Sequence, residues 1–331
     1  MFDKGYIEYI DQKSREYLQK GRFREGLALY NILFSPENYS YILSGNMQMG
    51  SHNDVRKFMA NPQKYYKKQW NNEDLANKKL LIYHYFYGIG DYIMCARYIH
   101  LLQKMSCKIV LELSDGLIDI YRYNFPDCEI IKWENKEYTD GYDYTCHHQY
   151  LLNFQNSLNS IPYSEGYLRA DSKLVEKYRP IFNTDKIKVG VFHASNNPDR
   201  SVPFQLMRGI YENRQCQFYC LATGSPSQEL AELQKEYNVI ELNQYIKNVN
   251  DTAALMENMD LVISVDSFPI HLAGALGVKS YLMLNYDSDW RWFNDTETTP
   301  WYDSVKIFKQ KKSDYWYNVI DDISDALKKD F

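Results

Sequence analysis

The segment Asp260-Leu-Val-Ile-Ser-Val-Asp-Ser-Phe-Pro-Ile-His-Leu-Ala-Gly-Ala-Leu-Gly277 restricts the fold of this chain more than any other. Its β-branched run stops at Asp266-Ser267, and Pro269 follows where the first turn of a helix tolerates a missing N–H. An apolar strand leading straight into a helix reads as one unit of a parallel sheet covered by helices. The turn gathers backbone amides, the Ser267 hydroxyl and the His271 imidazole at the positive end of that helix. A phosphate or another anion is its natural occupant.

The alternation extends over most of the chain. Residues 1 to about 70 carry helical spacing, and Leu18 to Tyr30 resembles one tetratricopeptide-type hairpin broken at Gly21. No second copy follows, and a repeat array needs several units, so this segment is expected to dock on the main body. From Lys79 a strand, the turn Gly88-Ile-Gly-Asp91 and a helix marked by Met94, Tyr98, Leu101 and Met105 begin a first α/β series. A second series starts at Ile187 and runs through Cys216–Ala222, Val239–Leu242, the opening segment and Tyr281–Leu284. Trp316 to Leu327 reads as a final amphipathic helix that crosses back to the first series. The expected divisions are residues 1–75 for the helical segment, 76–175 and 186–312 for two doubly wound Rossmann-like domains, and 313–331 for the last helix. Length agrees, because 331 residues exceed what one hydrophobic core usually supports.

With 38 basic against 43 acidic residues, nothing in the charge favours nucleic acid or an anionic membrane as the main partner. Charges interrupt the first thirteen residues and the apolar stretch 261–286, so neither an export signal nor a transmembrane segment is expected. A cytoplasmic location follows, with peripheral contact to the inner face of a membrane left open. The six cysteines contain no C-x-x-C pair and fit reduced thiols better than a disulfide framework. Cys146-His147-His148 lacks the second ligand cluster that structural zinc needs, and Asp287-Ser-Asp289 is discounted as a metal motif, so no metal is expected.

Four pieces in order resemble the nucleotide-sugar glycosyltransferases of GT-B fold, specifically heptosyltransferase-like family 9 and its tetratricopeptide-fused relatives. They are Lys79 through Tyr98, Ala194-Ser-Asn-Asn-Pro-Asp-Arg-Ser-Val-Pro203, the opening segment, and Tyr286-Asp-Ser-Asp-Trp-Arg-Trp292 with Pro300-Trp-Tyr302. Tyr87 stands where relatives usually carry glutamine, Ser195 where they carry glycine, and the segment before Arg200 is shortened; these departures bear on donor identity. The resemblance implies two Rossmann-like domains facing a cleft. It also implies an inverting, metal-independent transfer of sugar from a nucleoside diphosphate to a hydroxyl of a glycan, lipid-linked or protein acceptor. The nucleotide sugar is then a co-substrate, and no further cofactor is expected.

Gly88 and Gly90 allow a tight turn that sets Asp91 at a helix start; the resemblance makes Asp91 the catalytic base, while helix capping alone would explain the same residue. Arg200 has the permanent charge and fork geometry suited to phosphate oxygens, or it forms an ion pair with Asp199 or another acid. Ser195, Asn196 and Ser267 complete the diphosphate site, and His271 either joins them or serves as a buried structural histidine. Asp266 either accepts from sugar hydroxyls or caps the helix. By resemblance, Gly224, Gln228 and Glu229 meet the ribose and base. A non-catalytic scaffold that grips a partner with its helical segment is the main alternative. A Rossmann oxidoreductase is disfavoured, because Gly88-Ile-Gly-Asp91 lacks the third glycine of G-x-G-x-x-G.

Overall fold

The central strands of this protein are apolar on both faces, which requires cover on both sides. In β8 (Leu261–Val265) all five residues are buried, as are all five of β9 (Ser280–Leu284). The computed structural model describes residues 4–33, 68–83, 88–133, 141–154, 161–223, 228–293 and 296–331. Within them the chain forms two compact units. The first takes residues up to 87, 95–118 and 125–162; the second takes 88–94, 119–124 and 163–331.

The first unit holds a four-stranded parallel sheet of order β3-β2-β1-β4, made of β1 (Lys79–Tyr83), β2 (Lys108–Leu113), β3 (Glu129–Lys132) and β4 (Tyr144–His147). Its N-terminal helices Lys4–Gln19 and Phe23–Leu33 form a hairpin. Ile7, Ile10, Ser14 and Leu18 line the buried stripe of the first helix, and Gly21 takes the left-handed conformation (φ 72°) between the two. Gly26 lets them close: a Cβ there would lie 2.6 Å from Leu18 Cγ. The second helix packs against the turn His148–Asn153, so the hairpin is docked on the body of this unit. His147 ends β4, and its ring lies 4.3 Å from that of His148 in a tilted contact. All six cysteines are free thiols.

The second unit is built on a seven-stranded sheet of order β10-β11-β9-β8-β5-β6-β7, parallel throughout except for the β10–β11 pair. Its remaining strands are β5 (Ile187–Phe192), β6 (Cys216–Cys220), β7 (Ile240–Glu241), β10 (Thr298–Thr299) and β11 (Tyr302–Lys309). Val189, Val191, Ile263 and Met283 form its core with Val319, Ile320, Ile323 and Leu327 of the terminal helix Tyr317–Asp330. That helix thus uses its apolar face within the second unit. Among the described residues no helix is long and apolar enough to cross a membrane.

The helix Phe268–Leu276 is buried along most of its length and ends in the left-handed Gly277 (φ 72°). Its Gly274 faces β11 so closely that a Cβ would stand 2.4 Å from ring carbons of Tyr302. Gly274→Ala is therefore predicted to destabilise the protein by about 1–2 kcal/mol, overpacking outweighing the gain in helix propensity. Urea unfolding measures this; unchanged or increased stability would contradict the packing.

Candidate functional site

β8 ends at Val265, and the chain turns through Asp266 and Ser267 into the helix Phe268–Leu276. Ser267 holds the N-cap position in an extended conformation, yet its side chain makes no capping bond and its Oγ is buried without a partner. Asn285 Oδ1 and Ser288 Oγ, beyond the carboxyl end of neighbouring β9, are likewise buried without one. Such atoms cost free energy unless water or a ligand meets them. Of the first three helical positions Pro269 has no N–H and Ile270 N donates to Ser267 O at 3.3 Å, so the Phe268 amide is the one at this end left for a ligand, where the helix directs positive potential outward.

Arg200 reaches this turn from the loop after β5. That loop is bonded to itself: Asn197 Oδ1 accepts from Asp199 N at 3.1 Å, and Ser201 Oγ accepts from Ser195 N at 2.9 Å. His193 at the loop's root has Nδ1 3.3 Å from Val202 O, and burial lowers its pKa. Arg200 Nη1 lies 3.0 Å from Asp266 Oδ2, so its partner is Asp266 and not Asp199. Asp266 is almost wholly enclosed; burial raises its pKa, and the Arg200 charge opposes that rise. Asp266 accordingly acts as an ion-pair partner, with the N-cap position occupied by Ser267.

The sequence predicts Asp91 in the first half of the chain. In the structure residues 88–94 group with the second unit. Three contacts explain this: Tyr167 Oη donates to Ile93 O at 2.9 Å, Tyr121 Oη donates to Tyr92 O at 2.7 Å, and Gly90 packs on His271. A Cβ on Gly90 would stand 2.7 Å from His271 Cδ2, which is why that turn needs glycine. Asp91 is the third residue of the helix Ile89–Ala96, beyond the capping position, and its Oδ1 accepts from Arg291 Nη2. Arg291 Nη1 donates in turn to Asp289 Oδ1 at 2.7 Å, and Asp289 Oδ2 lies 4.0 Å from Arg200 Nη2. Asp91, Arg291, Asp289, Arg200 and Asp266 thus form one line of alternating charge.

His271 is buried one turn into its helix. Its Nδ1 is 2.8 Å from Tyr302 Oη, and its ring stacks on Trp292 at 5.2 Å. Ser195 is half-buried, its Oγ accepting from Asn197 N at 3.3 Å, while Asn196 is exposed. Gln228 is exposed at the start of the helix Gln228–Glu236 and donates to Glu232 at 3.0 Å. Gly224 and the side chain of Glu229 lie outside the described residues, as do residues 84–87 before the Gly88 turn. Sequence reasoning missed Arg291 and the ion-pairing of Asp289; the signal was an arginine held between two tryptophans, beside an acid two residues earlier.

Residues 149–314 match the model of glycosyltransferase family 9 (heptosyltransferase). Protein FlbA of Caulobacter vibrioides is 26% identical over 293 residues, covering 78% of this chain and 48% of that protein. The chain thus spans about half the length of this curated relative. Among solved structures, the family 9 glycosyl transferase of Veillonella parvula aligns with a TM-score of 0.55 at 16% identity, over 78% of this chain and 91% of that one. The ADP-heptose LPS heptosyltransferase II of E. coli gives 0.54 at 12%, over 76% and 99%. The dodecameric iron-containing heptosyltransferase TibC of enterotoxigenic E. coli, in complex with ADP-D-β-D-heptose, gives 0.50 at 12%, over 78% of each chain. The shared architecture is GT-B, and the parallel sheets of this protein follow it. The chain belongs to glycosyltransferase family 9.

Proposed function

We propose that this protein is an inverting, metal-independent glycosyltransferase that moves a sugar from a nucleoside diphosphate to a hydroxyl acceptor. The observation that carries this is the line of charge from Asp91 to Asp266, which joins a carboxylate suited to base catalysis to the amino end of the helix Phe268–Leu276. At that end Arg200, the Ser267 hydroxyl and the Phe268 amide supply donors for a diphosphate. In the transfer the acceptor oxygen bonds to the anomeric carbon, the bond from that carbon to the phosphate oxygen breaks, and the electron pair leaves with the diphosphate. The acceptor proton passes to Asp91. Arg200, the Ser267 hydroxyl and the Phe268 amide stabilise the charge that develops on the leaving group, without a metal cation.

Asp266 is placed beside Arg200 to hold the guanidinium in readiness and to accept from sugar hydroxyls. Ser195 and Asn196 shape the loop that carries Arg200, His271 backs the helix, and Gly224, Gln228 and Glu229 are assigned to the ribose and base. The ADP-D-β-D-heptose bound by TibC makes an ADP-linked heptose the first donor to test. The acceptor is a hydroxyl of a glycan, lipid-linked glycan or protein, and the reaction is cytoplasmic, at the inner face of the membrane where the acceptor is lipid-linked.

Asp91→Asn should lower turnover of ADP-D-β-D-heptose by about 10²- to 10⁴-fold while ADP affinity by calorimetry changes little. Retention of full turnover would remove Asp91 from the base role. Arg200→Gln should weaken ADP binding about tenfold or more, a charge-assisted hydrogen bond being worth about 1.5–3 kcal/mol. Wild-type ADP affinity in Arg200→Gln would place the diphosphate elsewhere.

A further inference from the structure

Building on the reading of Asp91 as the base, we propose that Arg291 is a positioning residue for the transfer. It holds one oxygen of the Asp91 carboxylate, so that the other is the oxygen that receives the acceptor proton.

A carboxylate with a single hydrogen-bond partner turns about its terminal torsion, a broad and nearly two-fold motion. Fixing it requires a partner that is itself fixed. Arg291 meets that requirement through both ends of its guanidinium: Nη2 donates to Asp91 Oδ1, and Nη1 donates to Asp289 Oδ1 at 2.7 Å. Asp289 Oδ1 also accepts from Arg291 N at 3.1 Å, so one carboxylate grips both the backbone and the side chain of Arg291. The flanking Trp290 and Trp292 are fully buried, and the guanidinium carbon lies 4.9 Å above the Trp290 ring. The Arg291 side chain is only 13% exposed, which leaves it little freedom to follow solvent.

Asp91 Oδ2 is turned toward the Gly88 turn, where a Cβ on that glycine would stand 3.7 Å away. Arg291 thus divides the carboxylate into a held oxygen and a working one. Lysine reproduces this only in part, because its ammonium lacks the planar fork that fixes the geometry to two separate carboxylates at once. The arrangement resembles in purpose a third group that orients a catalytic base through a hydrogen bond.

The test follows release of ADP from ADP-D-β-D-heptose, water serving as acceptor, in wild type, Arg291→Gln, Arg291→Lys, Asp91→Asn and the double variant Asp91→Asn/Arg291→Gln. Arg291→Gln should lower kcat about 10²-fold with the donor KM nearly unchanged, the loss expected for a displaced reacting group. Arg291→Lys should recover part of that loss. In the Asp91→Asn background Arg291→Gln should cost nothing further, because the group through which it acts is gone. Wild-type kcat in Arg291→Gln would overturn the proposal, as would an undiminished loss from Arg291→Gln on top of Asp91→Asn. Wild-type turnover in Asp91→Asn would instead overturn the base reading itself, which separates the two failures.

Discussion

The helix Phe268–Leu276 admits neighbours at distances that side chains would forbid, and the site depends on that closeness. Gly90 meets it at His271 and Phe268, Gly274 meets Tyr302 of β11, and Gly166 approaches the backbone of Ala275 and Gly277. Tyr167 and Leu168 both donate to Ala275 O, at 2.8 and 2.9 Å. Overpacking a well-filled core costs about 1–3 kcal/mol, so Gly90 and Gly274 keep positions at which a methyl group would collide with a ring, while Gly166 is required by its positive φ of 133°. Through these contacts the Asp91 turn, the Arg291 turn and the amino end of the helix are held within one packed unit.

The electrostatics follow from that placement. Three aspartates and two arginines alternate along one line, so each arginine lies between two acids. Isolated charges in such an enclosed place would be costly, and alternation is how the protein keeps them. Burial raises the pKa of Asp266 against the pull of Arg200, and Asp266 is the most enclosed of the five while Arg200 beside it is the most exposed.

Much of the second sheet was legible in the sequence because β5, β6, β8 and β9 are short apolar runs bounded by turn residues. β11 was not, since Asp303, Ser304 and Lys306 interrupt its apolar residues and its burial follows neither a continuous run nor strict alternation. β4 escaped notice because Thr145 and His147 are polar by type although buried in place. The helix expected through Met94, Tyr98, Leu101 and Met105 breaks at Arg97-Tyr98, where Arg97 is buried and donates to Pro162 O at 3.2 Å. Asp91, Arg200 and Asp266 could be named from local pattern, and two of their ion-pair partners could not. Arg291 lies 200 positions from Asp91, and only folding brings the two together.

The central claim is that the diphosphate is seated at the amino end of the helix Phe268–Leu276, on the same line of charge as Asp91. A crystal structure of the protein with ADP tests it most directly. The account predicts β-phosphate oxygens within hydrogen-bond distance of the Ser267 hydroxyl, the Phe268 amide and Arg200, with the Arg291–Asp91 contact intact. ADP bound away from this turn, with Arg200 still paired to Asp266, would contradict it.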